Sequence, residues 1–347
     1  MSEKAFINST YEAARFLGIA PPSCCDEVEK AYPTSVSKYY LGIVKDKDNP
    51  QQDPIWLQCM PAEQELEDQD SDFDPLAEEE QMAAPRLIHR YIDRAVLLAT
   101  GRCATRCRFC FRKRTWANGT EMTDITEDEL KAICDYLKQT PSVREILVSG
   151  GDPLMLSPHR LKTLLDKISA VPSIEVIRVG SRVPVTMPQL LTEEKAEILA
   201  AYPSVWLMSH FNHPHEVTLE ALEACRKLIS RGIPVLNQTV LLAGVNDNAD
   251  VLEDLFRKLI ANRIKPHYLF HVDPVRGVRH FATGIAKGLE ILEEFRPRLS
   301  SLAVPTFAID LPEGGGKVAL QPNYEIDGKY PSVTDNHLIS YEEKLKD

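Results

Sequence analysis

Residues 94–114 read RAVLLATGRCATRCRFCFRKR. Seven residues rich in apolar side chains end in a loop that carries Cys103, Cys107 and Cys110 in a C-x3-C-x2-C spacing. A short apolar run of this kind is a strand buried on both faces, and ligand-binding loops in parallel α/β folds follow the carboxyl ends of such strands. Three thiols within eight residues suit metal ligation better than disulfide pairing. Thiolates are the usual ligands of iron–sulfur clusters, and three of them leave one iron of a [4Fe–4S] cube open to a small molecule. Zinc would want a fourth ligand, and no His or Cys follows until Cys134, which lies within a helical pattern.

Working outward from that loop, further apolar runs are EILVSG (145–150), IEVIRVGS (174–181), SVWLMSHF (204–211), PVLNQTVLL (234–242) and HYLFHVD (267–273). Amphipathic helical patterns separate them at about 125–139, 159–170, 192–201, 218–231 and 250–262, with another at about 284–300. Thr126 with Glu129 forms a capping-box signature, and Thr218 stands at another helix start. Strands alternating with helical crossovers predict a parallel sheet. Six βα units are too few for a closed eight-stranded barrel, so the expectation is α/β, an open partial (β/α)6 barrel. VPTFAID (304–310) and VALQPNYEI (318–326) add two strand-like segments. The expected divisions are 1–85, a helical N-terminal region; 86–303, the partial barrel; and 304–347, a C-terminal segment. Within the first, residues 61–80 hold ten acidic and no basic residues and are read as a solvated linker or exposed arm.

The predicted strands finish on polar residues: Ser149 and Asp152, Ser181 and Arg182, Ser209 and His210, Gln238, and Asp273. Far apart in sequence, they would converge at one edge of a parallel sheet. The net charge of −11 argues against broad binding to nucleic acid or anionic membrane. No apolar run approaches the roughly 20 residues that span a bilayer, and no apolar signal region opens the chain, so a cytoplasmic protein is expected. Cys134 and Cys225 read as small buried hydrophobes, whereas Cys24, Cys25 and Cys59 receive no role.

Two further motifs carry chemistry. SGGDPL (149–154) follows the second strand, and its glycines permit a close backbone approach to a ligand. DLPEGGGK (310–317) places Lys317 after three glycines, a mobile setting suited to an amine that forms and breaks a Schiff base.

The cysteine spacing, with Phe109 before the last Cys, resembles the radical S-adenosylmethionine (SAM) superfamily. The ordered set HRY-x-DR, C-x3-C-x2-C-x-R, SGGDPL, HFNHP, NQ-x-VLL-x-GVND and D-x-P-x-GGGK-x6-NY, over about residues 86–326, resembles the lysine 2,3-aminomutase family of radical SAM enzymes that depend on pyridoxal 5′-phosphate (PLP). The resemblance implies an isomerase, an intramolecular aminotransferase that moves the α-amino group to Cβ. L-Lysine to β-lysine is the leading reaction. It also implies a [4Fe–4S] cluster on Cys103, Cys107 and Cys110, with SAM held by Ser149, Gly150, Gly151 and Asp152. Lys317 would be the PLP lysine, with Arg90 and Tyr91 near PLP, and Arg182, His210 and Gln238 lining the cofactor pocket. Arg112 would grip the substrate α-carboxylate, and Asp273 and Asp310 the side-chain ammonium. An Arg at one end and carboxylates at the other suit a cationic amino acid independently of the resemblance. Arg276 and Arg279 are near enough in sequence to Asp273 to pair with it instead.

The chain departs from longer relatives. Asn248 follows GVND where they have a cysteine, and the end SYEEKLKD has no cysteine, so their zinc site is not expected. Arg279 stands where they have an acidic residue. The short length resembles the branch supplying β-lysine for elongation factor P. Arginine or ornithine as substrate, and a non-catalytic cluster-binding protein, are the alternatives; Arg112, Lys317 and SGGDP stand against the last. Expected partners are the amino-acid substrate, an electron donor such as flavodoxin or ferredoxin, and a second copy of the chain in a homo-oligomer.

Overall fold

The computed structural model describes residues 5–20, 25–117 and 122–341. Cys24 and the last six residues of the chain lie outside them. The N-terminal region pairs β1 (Phe6–Ile7) with β2 (Val36–Ser37) and carries α1 (Thr10–Leu17), α2 (Cys25–Ala31), α3 (Lys38–Gly42), α4 (Pro54–Cys59) and α5 (Gln64–Glu67).

The main sheet has ten strands in sequential spatial order. They are β3 (Met82–Ala84), β4 (Leu87–Tyr91), β5 (Arg94–Thr100), β6 (Glu145–Gly150), β7 (Val176–Gly180), β8 (Val205–Ser209), β9 (Val235–Leu241), β10 (Ile264–His271), β11 (Thr306–Leu311) and β12 (Gly316–Leu320). From β5 to β11 every pairing is parallel, whereas β3, β4 and β12 add antiparallel strands at the two edges. Six βα units alternate along the parallel run. The crossovers are α6 (Glu127–Gln139), α7 (Pro158–Ser169), the short α8 (Val183–Thr186) with α9 (Glu193–Ala200), α10 (Leu219–Ile229), α11 (Ala249–Ala261) and α12 (Ile285–Arg298). A small hairpin of β13 (Lys329–Pro331) and β14 (Leu338–Ser340) ends the described chain.

Local chemistry sets these elements. Thr126, Ser157, Thr192, Thr218 and Asn248 each accept a backbone N–H at the start of a crossover helix, a cap worth about 1 kcal/mol. In α11 the buried Leu252, Leu255, Phe256 and Leu259 form one stripe, and Phe256 meets Phe295 of α12 edge-on at 5.8 Å. Burying such a side chain contributes roughly 1.5–3 kcal/mol. Along β9, buried Val235, Asn237, Thr239 and Leu241 alternate with half-buried Leu236, Gln238 and Val240. One strand face is therefore packed tightly and the other less so.

The edge strands β3 and β12 do not pair, so the barrel is open, yet the gap is bridged. Lys317 N donates to Tyr91 Oη at 2.8 Å, and Glu313 N donates to Pro75 O at 2.9 Å. Gly314 lies so close to Gln81 that a Cβ there would meet its amide at 2.0 Å.

The reading of residues 61–80 as a solvated linker is corrected here. Glu65 has no exposed surface, and Asp68 and Glu78 are 3% and 4% exposed. Only part of the acidic stretch, including Glu63, Glu67, Asp70, Glu79 and Glu80, faces solvent. The reason is charge matching. The cysteine loop carries Arg106, Arg108, Arg112, Lys113 and Arg114, and a buried cation needs a buried partner. Glu65 meets Arg108 at 2.6 Å and Lys113 at 2.5 Å, with all three side chains inaccessible. Asp68 accepts from Gly277 N at 3.0 Å, and Arg276 donates to Ser71 O at 2.9 Å. The arm thereby ties the cysteine loop to the loop after β10, and Arg276 is not the partner of Asp273.

Candidate active site

The cysteine loop leaves β5 at the carboxyl edge of the sheet and is held on two sides. From the N-terminal region, Ser37 N donates to Ala104 O, and the N–H groups of Arg106 and Arg108 donate to Ser35 O and Gln58 O. From β6, the N–H groups of Gly151 and Asp152 donate to Thr100 O and Arg102 O. A Cβ on Gly150 would meet Thr100 O at 2.5 Å and one on Gly151 would meet Arg102 O at 2.4 Å. These glycines let one backbone press against another, at the root of the cysteine loop, rather than only against a ligand. Gly150 also has a φ of +117°, which a side chain would resist.

Asp152 is buried, and its carboxylate accepts from Leu154 N, Ser181 Oγ, Arg182 N and Val183 N at 2.7–3.0 Å. It braces the turns after β6 and β7, and these four donors fill the lone pairs of its carboxylate. Arg182 is also buried. It donates to Cys107 Sγ at 2.8 Å, Gln58 Oε1 at 2.5 Å, Glu216 Oε1 at 2.7 Å and Tyr40 Oη at 3.0 Å. Arg182 therefore faces a cysteine sulfur.

The three cysteines are half-buried. Burial, with neighbouring thiols adding to it, pushes the Cys103 and Cys110 thiols up, Cys110 to about 11. Three thiols on one loop within eight residues are nonetheless the donor set that an iron–sulfur cluster takes, since a bound metal displaces the thiol proton. His210 donates from Nε2 to Asn212 Oδ1 at 3.1 Å, a direction set by the Asn212 amide, whose Nδ2 donates to Gln58 Oε1 and whose oxygen accepts from Val240 N. Its ring meets Phe109 edge-on at 5.6 Å. Burial and then Arg182 lower it to about 3, so it is neutral.

On the other side of the mouth, Asp310 and Lys317 face each other across the β11–β12 hairpin, with Lys317 Nζ 2.7 Å from Asp310 Oδ2. The same ammonium lies 4.3 Å from the centre of the Phe270 ring. Asp273, after β10, belongs to this group. Burial and then the Asp310 charge push its carboxyl up to about 7, against the opposing pull of Lys317. Arg112 adds a weaker pull in the same direction as Lys317. Tyr91 supports the backbone of Lys317, whereas Arg90 turns to the acidic arm, donating to Gln81 Oε1 at 2.6 Å and Leu76 O at 2.7 Å. Arg90 thereby ties β4 to the arm, beside the Gln81 amide that lies against Gly314.

Arg112 lies between the two groups. Its Nη1 donates to Ser149 Oγ at 2.9 Å, and its Nε and Nη2 donate to Glu78 at 2.9 and 2.7 Å. Burial pushes the Glu78 carboxyl up, but Arg112 and then Arg114 outweigh it and hold it below the usual carboxylate range. Glu78, with Glu65, Gln58, Tyr40 and Glu216, was not picked out by sequence reasoning. A usable signal existed for the two glutamates: five cations within residues 106–114 beside three cysteines demand nearby counter-charge.

A partial parallel barrel with a three-cysteine loop at its first strand is the build of a radical SAM protein, and the radical SAM superfamily model matches residues 97–256. The model for lysine-2,3-aminomutase matches residues 292–336, which include Asp310 and Lys317. The chain belongs to the lysine 2,3-aminomutase family and is an isomerase of the radical SAM class. The L-lysine 2,3-aminomutase of Acetoanaerobium sticklandii is 41% identical over 334 residues, 94% of this chain and 79% of that one. An Aquifex aeolicus relative is 45% identical over 295 residues, 84% of this chain and 79% of that one. The glutamate 2,3-aminomutase of Clostridioides difficile is 38% identical over 333 residues, 92% of this chain and 78% of that one. Among the described residues no helix is long and apolar enough to cross a membrane.

Proposed function

We propose that the protein converts L-lysine to β-lysine, using SAM, a [4Fe–4S] cluster on Cys103, Cys107 and Cys110, and PLP on Lys317. One observation carries the substrate: Asp310 pairs with Lys317 Nζ at 2.7 Å, and Asp273 stands in the same field, its carboxyl pushed up by burial and then by the Asp310 charge. Once Lys317 Nζ is committed to PLP, Asp310 loses its partner and both carboxylates are left facing a cationic ligand. An ammonium at the end of a lysine side chain restores the balance, whereas the side-chain carboxylate of glutamate would add a third negative charge. The bound cluster, SAM and PLP supply the radical and the electron sink for the 2,3-shift.

The residues of the chain bind and orient. Arg112 takes the α-carboxylate, as a planar guanidinium does best. Phe270 covers one side of the Lys317 chain. Neutral His210 lines the pocket beside the cysteine loop without adding positive charge. Gln238, on the less packed face of β9, contributes a neutral polar group. Arg182 would meet the cluster sulfur side through Cys107. A flavodoxin or ferredoxin would reduce the cluster, and a homo-oligomer is the expected assembly.

The test is an anaerobic assay of reconstituted enzyme on free lysine, arginine, ornithine and glutamate. Lysine should give the highest kcat/KM. Preference for arginine or ornithine would keep the two-carboxylate argument and change the substrate. Preference for glutamate would overturn it, and four brown-coloured irons with no turnover of any amino acid would favour a non-catalytic cluster protein.

A further inference from the structure

The fork of Arg112 is already half used. Its Nε–Nη2 edge is filled by Glu78 at 2.9 and 2.7 Å, and only the edge containing Nη1, which touches Ser149 Oγ, remains. Glu78 is also fixed from its other side by Arg114 Nη2 at 3.0 Å, and Arg114 is itself compensated by Asp74 at 3.2 Å and Glu79 at 3.1 Å. Glu78 thus sits in a lattice of charges and is 4% exposed. The arm that carries it also reaches the Lys317 hairpin, through Pro75 O to Glu313 N and through Gln81 to Gly314.

An arginine has a long, flexible stem. A guanidinium that must meet a carboxylate in one plane gains from being held before the ligand arrives. Bidentate pairing along one edge fixes both the plane and the rotation of the group. We propose that Glu78 is a positioning residue for amino-acid recognition: it holds the side edge of Arg112, and so presents the remaining edge to the α-carboxylate of the substrate. This rests on Arg112 being the carboxylate grip. It gives the acidic arm a part in substrate binding as well as in the fold, since the same segment steadies the two ends of the pocket, Arg112 and Lys317.

The experiment compares wild type, Glu78→Gln, Arg112→Lys and the double variant as reconstituted enzymes, measuring iron content, lysine turnover and the rise in melting temperature caused by lysine. Glu78→Gln keeps the shape and one hydrogen-bonding oxygen but removes the charge. It should raise KM about tenfold, with kcat changed less than about threefold, and shrink the lysine-induced thermal shift. Iron content should stay at the wild-type level. The double variant should bind lysine no worse than Arg112→Lys alone, because Glu78 acts through Arg112. An unchanged KM overturns the proposal. A lowered KM also overturns it, since Glu78 would then compete with substrate for Arg112. Additive losses in the double variant would make Glu78 a general brace and overturn it equally. Should Glu78→Gln fail to fold, Glu78→Asp, which keeps the charge on a shorter stem, is judged by the same KM and the same double variant. If instead Arg112→Lys leaves KM at the wild-type value, the assignment of Arg112 has failed, separately from the inference about Glu78.

Discussion

Two groups of acids flank the site, one buried under the cysteine loop and one half-buried at the barrel mouth, and they differ in how many cations they meet. Under the cysteine loop, Glu65 has Arg108 and Lys113 to itself, and Glu78 has Arg112 and Arg114. In both, burial pushes the carboxyl up and is outweighed by the paired cations, so each is held below the usual range. At the barrel mouth, Asp310 has Lys317, whereas Asp273 has no paired cation among the described residues and is pushed up to about 7 by burial and then by Asp310. Desolvation acts on both groups; the supply of cations decides the outcome. A carboxylate with its counter-charges in place is scaffold. Asp152 is scaffold without a cation, because four N–H and O–H donors fill its lone pairs; a carboxylate short of both is, on the proposed function, a receptor for a cation.

Breaking the scaffold side should have the largest effect. Glu65→Gln leaves Arg108 and Lys113 buried without their anion, and should cost about 3–5 kcal/mol of stability, read by denaturant unfolding of the protein. A loss under about 1 kcal/mol would show that water reaches these cations and that the contrast between the two regions is overdrawn.

On the receptor side, Asp310→Asn should leave the fold intact and cost roughly 2–4 kcal/mol in kcat/KM for lysine, as for a desolvated charge pair broken on one side. A neutral analogue of the same length should not show the loss. Equal losses for both would make Asp310 a support for Lys317 alone.

A smaller effect follows from Asp273. With its carboxyl near 7, it is largely protonated and neutral at pH 6 and charged at pH 8. Loss of the Lys317 charge to PLP would move the carboxyl higher still, so the sign is a KM for lysine that falls as pH rises from about 7 upward, by a few-fold, and Asp273→Asn should flatten that part of the profile. A KM that rises over the same window would place the titrating group elsewhere. The smallest expected change is at Glu67, an exposed acid of the same arm. Glu67→Gln should shift stability by less than about 0.5 kcal/mol. The comparison with Glu65 two residues away then isolates burial from charge.

The six βα units, the cysteine loop on its first parallel strand and the capped helices were legible in the residues, because each is a local matter of period, spacing and cap. Thr126 caps α6, with Glu129 completing its box, and Thr218 caps α10, as their sequences predict. Lys317 and Asp310 were found as motifs, and their 2.7 Å pairing follows from the hairpin register. The glycines of SGGDPL were legible as a place of close approach, but what they approach is the chain itself at Thr100 and Arg102. Asp152 and Arg90 were legible as polar and well placed, and both proved to be occupied by protein partners.

Residue types and their periodicity by themselves determined the class of fold and pointed to the candidate cluster cysteines and the candidate PLP lysine. Tertiary structure alone decided which acids are buried against cations and which are left half-buried near Lys317. Residues 61–80 look uniformly solvated, since a one-dimensional reading sees ten negative charges and no partner. The partners lie some forty residues on in the cysteine loop, as Arg108 does for Glu65, and only folding brings them within hydrogen-bond reach. Burial, hydrogen-bond donors and counter-charge are properties of neighbours in space, and only the fold settles which of them a given carboxylate meets.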